Sequence, residues 1–378
     1  MKITITRKIL LKPTPQQEKI LKNTAQQYTD ACNHISTYCQ DNKTLSKKKI
    51  QENNYNTIRT KYDLPSQMAI STIRSVTSAY KTIHSDKNNK KFEIKPIFKK
   101  HKYDLVWNRD YSITRTGDFS INSVKGRLKI TTEWSHNEQY SKMGKYGTAT
   151  LQYKHNKWFI NVPVDIIVDD VSIDDITNIV GVDLGLNFIA TTYDSNGDTN
   201  FYSGKKVKHY RGHYKQLRSE LQRKGTRSSR KRLLEIGSRE NRWMNDVNHC
   251  ITKALVEQAP KGTLFVLEDL TGVRSATERV RVKDRYTQVS WAFYDFRQKL
   301  EYKAKLYGHR VIVVDPKFTS QTCPKCGYVD KLNRVKRLHL FKCRACDYCS
   351  NDDRVGAMNL HFKGIQYRLQ CDKNIFLS

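Results

Sequence analysis

Three acidic residues beside apolar runs limit what this chain can fold into more than any other feature. Asp183 lies in GVDLGLNFIA, Glu268 in TLFVLEDL and Asp353 in SNDDRVGAMNL. The first two lie at the ends of short β-branched or aliphatic runs, which are typical of buried strands. A buried charge without a partner is costly. Three converging acids therefore predict a site for two divalent cations, which is suited to phosphodiester hydrolysis.

Each acid also has an ordinary explanation when it is taken alone. Asp183 is compatible with a turn or a cap, and Glu268 with a cap or an ion pair to a basic helix. Asp269 is the neighbouring alternative to Glu268, and Asp352 is the neighbouring alternative to Asp353. The residues alone leave these choices open.

The charge of the chain predicts a nucleic-acid partner. Its 68 Lys and Arg against 37 Asp and Glu give a net charge of +31, spread over the whole length. The electrostatic field of such a chain attracts polyanions, and its net charge is larger than solubility requires. A membrane surface is disfavoured, because we find no apolar run of the length of a membrane span, no basic amphipathic helix, and no lipidation or signal sequence. We expect a cytoplasmic, prokaryotic protein that associates with the nucleoid when it binds DNA.

Two Cys-x-x-Cys pairs predict a closed metal site. The pairs are Cys323 with Cys326 and Cys343 with Cys346, and sixteen residues separate them. In a reducing compartment, this spacing indicates metal binding and not disulfides. Four thiolates suit a structural Zn²⁺, with iron or an empty site as the alternatives. We interpret Cys349 as a bystander and the other cysteines as packing residues.

The hydrophobic pattern divides the chain into helical and strand-rich parts. Thr14, Pro15 and Gln17 predict a capped helix start, and a further helix is predicted after Pro65. Short alternating runs punctuated by glycines follow over 92–168 and predict a small β-barrel, which the helices interrupt. Residues 168–178 form an acidic linker. A hairpin with an Asn-Gly turn, basic helices and two buried strands are predicted beyond it, with a basic loop at 271–286.

In these segments the chain resembles the TnpB family, the OrfB-type nucleases of insertion sequences, which are related to miniature type V CRISPR effectors. The matching segments occur in the family's order: LKPTPQQEKIL, LPSQMAISTIRSVTSAYK, GRLKI, GVDLGLNFIA, SRENRWMNDVNH, VLEDL, VDPKFTSQTCPKCG, and Asp353 followed by Asn359-Leu360. They cover residues 1 to about 362. The chain departs from the family's pattern at Val355 and Gly356, where Asn-Ala is more common, and at Asp352.

The resemblance implies an α+β fold: a β-barrel (wedge) with an inserted helical recognition lobe, then an RNase H-like RuvC domain interrupted by a four-cysteine zinc element. The expected parts are 1–12 and 92–168 for the barrel, 13–91 for the lobe, 179–319 and 350–364 for RuvC, 320–349 for the zinc element, and 365–378 for a tail.

The resemblance also implies an activity, namely RNA-guided cleavage of double-stranded DNA beside a short target-adjacent motif. Asp183, Glu268 and Asp353 would hold two Mg²⁺ ions, Cys323, Cys326, Cys343 and Cys346 would hold one Zn²⁺, and a transposon-derived guide RNA would be bound by a monomer or a dimer. The loop 271–286 would cover the site, or would be an ordinary solvated loop. The alternatives are a miniature CRISPR effector that uses a crRNA, a cleavage-silent RNA-guided DNA-binding regulator, and a conventional transposase.

A last set of residues is predicted to contact nucleic acid. Gln67, Ser71 and Arg74 recur at helical spacing after Pro65, and Gln and Arg make bidentate contacts to base edges. The alternative is an ordinary solvated helix face. The further candidates are Arg127, Arg232, Arg239 and Arg242.

Overall fold

The computed structural model describes residues 2–86, 91–99, 101–133, 144–237, 239–270, 293–335 and 337–375. The chain forms two compact units, Lys2–Ile167 and Val168–Ser378. The predicted loop 271–286, with its proposed covering role, lies outside the described residues.

Three helices follow the first strand of the first unit. They are α1 (Pro15–Asp41), α2 (Lys47–Lys61) and α3 (Ser66–Ser85). The predicted start of α1 is confirmed, because the Thr14 side chain accepts from the Gln17 amide while the Gln17 side chain accepts from the Thr14 amide. This reciprocal cap satisfies amides that the first helical turn leaves without partners.

Eight strands of the first unit form one sheet. They are β1 (Lys2–Lys12), β2 (Lys102–Leu105), β3 (Tyr111–Ile113), β4 (Phe119–Ser123), β5 (Gly126–Glu133), β6 (Lys145–Tyr146), β7 (Ala149–Lys154) and β8 (Lys157–Ile167). The strand order is β2-β7-β8-β1-β5-β4-β3, with β6 paired to β8. Because β1 precedes the helices and the other strands follow them, the sheet is interrupted by the three helices, as the sequence predicted.

The two ends of this path, β2 and β3, are joined by a short connection, so the sheet is nearly closed. In that connection the Asp110 carboxylate accepts from the Val106 amide at 3.0 Å, and the Asp110 carbonyl accepts from the Asn122 amide at 2.7 Å. The strand-rich segment that was predicted to form a barrel thus forms a nearly closed sheet around a buried apolar interior.

The second unit contains a five-stranded sheet with helices on both faces. Its strands are β9 (Asn178–Asp183), β10 (Phe188–Tyr193), β11 (Thr199–Ser203), β12 (Thr263–Glu268) and β13 (Arg310–Val314). Their order is β11-β10-β9-β12-β13; β9, β10 and β11 are antiparallel neighbours, whereas β9, β12 and β13 run parallel. The predicted hairpin turn at Asn196-Gly197 is confirmed between β10 and β11.

The helices of this unit are α4 (Lys205–Lys224), α5 (Arg227–Ile236), α6 (Arg239–Gln258), α7 (Phe293–Leu306) and α8 (Asp352–Ile375). Residues 365–375, which the sequence assigned to a tail, continue α8. Among the described residues, no helix combines the length and the apolar character needed to cross a membrane.

The central strands separate two apolar cores by the alternation of their side chains. Along β12, Phe265 and Leu267 belong to a core that includes Phe296 and Leu300 of α7. Leu264 and Val266 belong to the core on the other face, which includes Leu360 of α8. The odd-numbered residues of β12 therefore face α7, and the even-numbered residues face α8.

Helix α8 lies unusually close to β9 because glycines remove the side chains between them. A Cβ atom on Gly181 would lie 2.0 Å from the Ala357 carbonyl oxygen and 2.6 Å from the His361 amide nitrogen. On the helix, a Cβ at Gly364 would lie 2.7 Å from methyl groups of Ile179 and Val266. The position of α8 against the sheet therefore depends on these two glycines.

Gly181→Ala should destabilise the second unit. The added methyl group meets backbone atoms that cannot rotate away, and overpacking of this kind typically costs about 1–3 kcal/mol or more. The control is Gly212→Ala in α4, where a Cβ would have no neighbour within 4 Å and where alanine should add up to about 1 kcal/mol. Urea unfolding measures both changes, and equal stability of the two variants would contradict the close packing.

A third, small sheet holds the cysteine-rich segment. It consists of β14 (Arg334–Val335), β15 (Leu340–Lys342) and β16 (Cys349–Asn351), and a short 3-10 helix (Lys331–Asn333) precedes it. Strand β16 leads directly into α8. Val355 of α8 packs in one core with Phe341, Cys323 and Cys343, so the cysteine-rich segment and the start of α8 are packed together.

Candidate active site and metal centre

The strand register places Asp183 and Glu268 side by side. Strands β9 and β12 are parallel, and Val182 is paired with Leu267, so the next residues, Asp183 and Glu268, are neighbours. Glu268 lies two residues after Val266 along β12, so its side chain points to the same face of the sheet, toward α8. Asp183 faces the same way, because a Cβ on Gly356 of α8 would lie 2.9 Å from its carboxylate Oδ2.

Asp353 joins them from the first turn of α8. Its amide donates to the Asn351 side chain at 3.0 Å, and the residue as a whole is 8% exposed. The three acids predicted from the sequence thus lie on one face of the sheet, at the end of β9, the end of β12 and the start of α8. The structure brings all three together.

The pKa values of all three carboxylates are raised. Burial, followed by Glu268 and Asp353, raises the pKa of Asp183 well above its usual value. Burial also raises the pKa of Glu268. Burial and the neighbouring Asp352 raise the pKa of Asp353. A cluster that is costly to ionise without a counter-ion is the electrostatic signature of a cation site.

Arg334 supplies part of that counter-charge, and sequence reasoning missed it. Its Nε donates to Asp352 Oδ2 at 2.7 Å, and its Nη2 lies 3.6 Å from Asp353 Oδ1. It lowers the pKa values of Asp183, Glu268 and Asp353, against their net rise. Arg334 lies in β14 of the cysteine-rich segment, and it is positioned next to the acids by the pairing of β14 with β15. This contact joins segments that are distant in the chain, so no local sequence signal identified it.

Thr319 and Asn359 fix the position of Glu268. The Thr319 hydroxyl donates to Glu268 Oε1. The Asn359 side chain in turn donates to the carbonyls of Thr319 at 2.7 Å and Thr322 at 2.9 Å. Asn359 was noticed as part of a sequence motif, but its function as an anchor for the segment before Cys323 becomes visible only in the fold.

The metal-free protein should lose stability as the pH rises. The folded pKa values of Asp183, Glu268 and Asp353 lie above their unfolded values of about 4. Such groups stabilise the fold fully below the unfolded pKa, and that contribution is lost as the pH rises through the folded pKa. Asp183→Asn should therefore stabilise the metal-free protein at neutral pH, by about 0.5–2 kcal/mol.

Thermal melts between pH 4 and pH 8, with and without Mg²⁺, measure this effect. Wild type should regain stability when Mg²⁺ binds, whereas Asp183→Asn should respond weakly. Asp246→Asn changes an exposed carboxylate of α6 and should behave as wild type. A metal-free protein whose stability rises steadily over this range would contradict the raised pKa values.

The four predicted cysteines form one cluster. The Sγ atoms of Cys323 and Cys346 are 3.7 Å apart, and those of Cys326 and Cys343 are 3.6 Å apart. All four lie within 4.8 Å of one another. Burial opposes ionisation of Cys343, but the Ala345 and Cys346 amides outweigh it and lower its pKa to about 7. Sulfurs around a tetrahedral Zn²⁺ with 2.3 Å bonds would be about 3.8 Å apart, so the cluster fits this ion.

The predicted nucleic-acid residues differ in accessibility. Gln67 is 8% exposed and Ser71 2% exposed, so the prediction that they share a solvent-facing surface with Arg74 is wrong. The physical reason is that α3 packs against α1, α2 and β2, and the Gln67 side chain accepts from Arg109 at 2.8 Å. The arginines of this set are exposed: Arg74, Arg127, Arg232, Arg239 and Arg242.

Two family models match the segments of the chain that contain these residues. The OrfB_IS605 family, described as "Probable transposase", matches residues 162–271, and the "Cas12f1-like, TNB domain" matches residues 293–360. A TnpB-like protein of Methanocaldococcus jannaschii is 31% identical over 47% of this chain and 65% of its own length. In these segments the chain is similar to TnpB-family proteins.

Two further relatives of this chain are named CRISPR-associated endodeoxyribonuclease Cas12f1. The one from Sulfoacidibacillus thermotolerans is 30% identical over 59% of this chain and 55% of its own length. The one from Syntrophomonas palmitatica is 25% identical over 77% of this chain and 59% of its own length. The alignments thus span between one half and two thirds of these relatives.

Solved structures share the fold of this chain. A Cas12f1-sgRNA-target DNA complex aligns with a TM-score of 0.59 at 14% identity, over 95% of this chain and 99% of that one. The mini-RNA-guided endonuclease CRISPR-Cas_phi3 aligns with a TM-score of 0.51 at 10% identity, over 95% and 92% of the two chains. At these identities the comparison establishes a mixed α/β fold in common.

Proposed function

We propose that this protein is an RNA-guided DNA endonuclease that hydrolyses phosphodiester bonds of double-stranded DNA in a metal-dependent reaction. The observation that carries the proposal is the meeting of Asp183, Glu268 and Asp353 on one face of the sheet, where burial raises all three pKa values and the other two acids raise that of Asp183 further. The strand order, with two antiparallel and two parallel neighbouring pairs, supports an RNase H-like RuvC assignment for this unit.

The donor set fits two Mg²⁺ ions. The three acids offer only carboxylate oxygens, which hard cations prefer. Two ions about 3.5–4 Å apart require carboxylates that surround them and do not touch one another. Among the described residues, the three acids are not grouped as closely as the four cysteines, whose ligand atoms lie within 4.8 Å of one another. When bound, the ions would activate water and stabilise the departing 3′-oxygen.

The chain's own residues position this chemistry. Thr319 holds one oxygen of Glu268, which fixes the direction in which the other oxygen points. Asn351 holds the backbone of Asp353 at the start of α8. Gly356 leaves room for the Asp183 carboxylate beside α8. No protein nucleophile is required, and we assign none.

A structural zinc in the four-cysteine cluster would support the third acid. The cluster core contains Val355, two residues after Asp353. A closed site of four sulfurs leaves no position open for catalysis. We therefore assign the zinc a structural role, in which it stabilises the start of α8. Cys349 is exposed and is not assigned as a ligand.

The guide RNA and target DNA are proposed as partners on the basis of charge and family. The net charge of +31 suits a heteroduplex, a structured RNA and a displaced strand, all of which are rich in phosphate. The TnpB-family resemblance supplies the assignment to guided cleavage. The exposed residues Arg74, Arg127, Arg232, Arg239 and Arg242 are proposed as phosphate or base contacts.

A miniature CRISPR effector that uses a crRNA is the second candidate. The match of residues 293–360 to the Cas12f1-like domain and two relatives named Cas12f1 favour it. The chemistry of the site is the same in both cases, and only the origin of the guide differs.

Sequencing the RNA that copurifies with the protein tests guidance and separates the two candidates. One dominant species encoded beside the gene, with a variable end, would support a transposon-derived guide. A repeat-derived species would support the CRISPR alternative. Protein that carries no specific RNA, and cleaves DNA after RNase treatment, would reject RNA guidance and support a conventional transposase.

A further inference from the structure

His339, Asp352 and Asp353 form a second tight group of potential ligands beside the carboxylate site. One ligand atom from each lies within 4.8 Å of the other two. His339 Nδ1 is 3.7 Å from Asp352 Oδ1. Asp352 is 1% exposed and Asp353 8% exposed, whereas the His339 side chain is 46% exposed. The group is therefore closed on the carboxylate side and open to solvent on the histidine side.

One carboxylate oxygen of Asp352 faces this group and makes no hydrogen bond among the described residues. Its Oδ2 accepts from Arg334 at 2.7 Å. Its Oδ1 is buried and has no hydrogen-bond partner among the described residues. A buried carboxylate oxygen without a partner is costly, and the group that faces it is His339. A cation between the two would remove this cost.

The His339 ring contacts Asn187, which lies in the connection between β9 and β10. The Asn187 amide nitrogen lies 2.5 Å from Nε2 and 3.1 Å from Nδ1 of His339. The Asn187 carbonyl oxygen accepts from Lys208. These contacts hold the ring beside Asp352.

We propose that His339, Asp352 and Asp353 bind one transition-metal cation such as Zn²⁺, at a site distinct from both the cysteine cluster and the Mg²⁺ positions. A nitrogen with carboxylate oxygens suits Zn²⁺ and its neighbours in the first transition row, whereas Mg²⁺ prefers oxygen alone. The two carboxylates and Arg334 leave a net charge of −1, which a dication reverses to +1. The proposed function adds one consequence: because Asp353 is shared, Zn²⁺ bound here competes with the catalytic ions.

The test is calorimetric titration of Zn²⁺ into full-length protein whose cysteine cluster is already loaded, in excess Mg²⁺. Wild type should bind one additional Zn²⁺ per chain. His339→Ala and Asp352→Asn should each weaken that event at least about tenfold, within the range typical of perturbing a metal site, while the cysteine-bound zinc is retained as evidence of folding. His213→Ala removes an exposed histidine of α4 and should bind as wild type.

Absence of the additional zinc in wild type, or binding that His339→Ala leaves unchanged, would overturn the proposal and reduce the group to an ion pair. The consequence for cleavage is measured separately, as Zn²⁺ inhibition in Mg²⁺ that His339→Ala should relieve. A protein that binds this zinc but cleaves no DNA would reject the proposed function and leave the site intact.

Discussion

Asp183→Ala, Glu268→Gln and Asp353→Ala should each reduce DNA cleavage about a thousandfold or more while RNA-dependent DNA binding persists. Removing a ligand from a two-metal site takes away several kcal/mol of transition-state stabilisation, and each 1.36 kcal/mol is a tenfold change in rate. Single-turnover cleavage and a separate binding assay measure the two quantities. The acids face one another and not the surface arginines, so binding should be preserved.

Asp269→Asn is the matched control for this series. Asp269 follows Glu268, but its side chain is 45% exposed and lies 3.8 Å from Arg297. It should retain most of the activity. Near-normal cleavage by Asp353→Ala would contradict the assignment and transfer the ligand role to Asp352, which the sequence had left as the alternative.

Cys326→Ser should release the metal and loosen the start of α8. We expect about one zinc per chain in wild type and less than one in the variant. Structural zinc contributes about 10–16 kcal/mol of apparent binding free energy in isolated zinc-finger peptides, so its loss should unfold the cysteine-rich segment. Cleavage should also fall, because Val355 links the cluster core to the helix that carries Asp353.

Elemental analysis, thermal unfolding and cleavage rates measure these three effects. Cys349→Ser is the control, because this exposed thiol lies outside the four-cysteine group and should keep full zinc and activity. Freshly reduced wild-type protein without a bound transition metal would defeat the assignment.

The acids and cysteines could be found from sequence because each sits in a strong local pattern. Asp183 and Glu268 each stand at the end of an apolar strand. The four cysteines have diagnostic spacing. These features depend on residues that are close in the chain, which is why periodicity and spacing suffice.

Other features depend on contacts between distant segments. The burial of Gln67 depends on its contact with Arg109, and helical spacing alone could not reveal it. Arg334 reaches Asp352 only through the small sheet. Gly356 was noticed as a departure from the family pattern, but its closeness to Asp183 depends on how α8 crosses β9.

The most direct measurement is a retargeting experiment. Purified protein is supplied with its RNA scaffold and two guide sequences in turn, and both matching DNA targets are present with Mg²⁺. We expect cleavage to move with the guide, to require the divalent cation and to be lost with Asp183→Ala. Cleavage at the same position whichever guide is supplied, or cleavage that survives removal of the RNA, would contradict it.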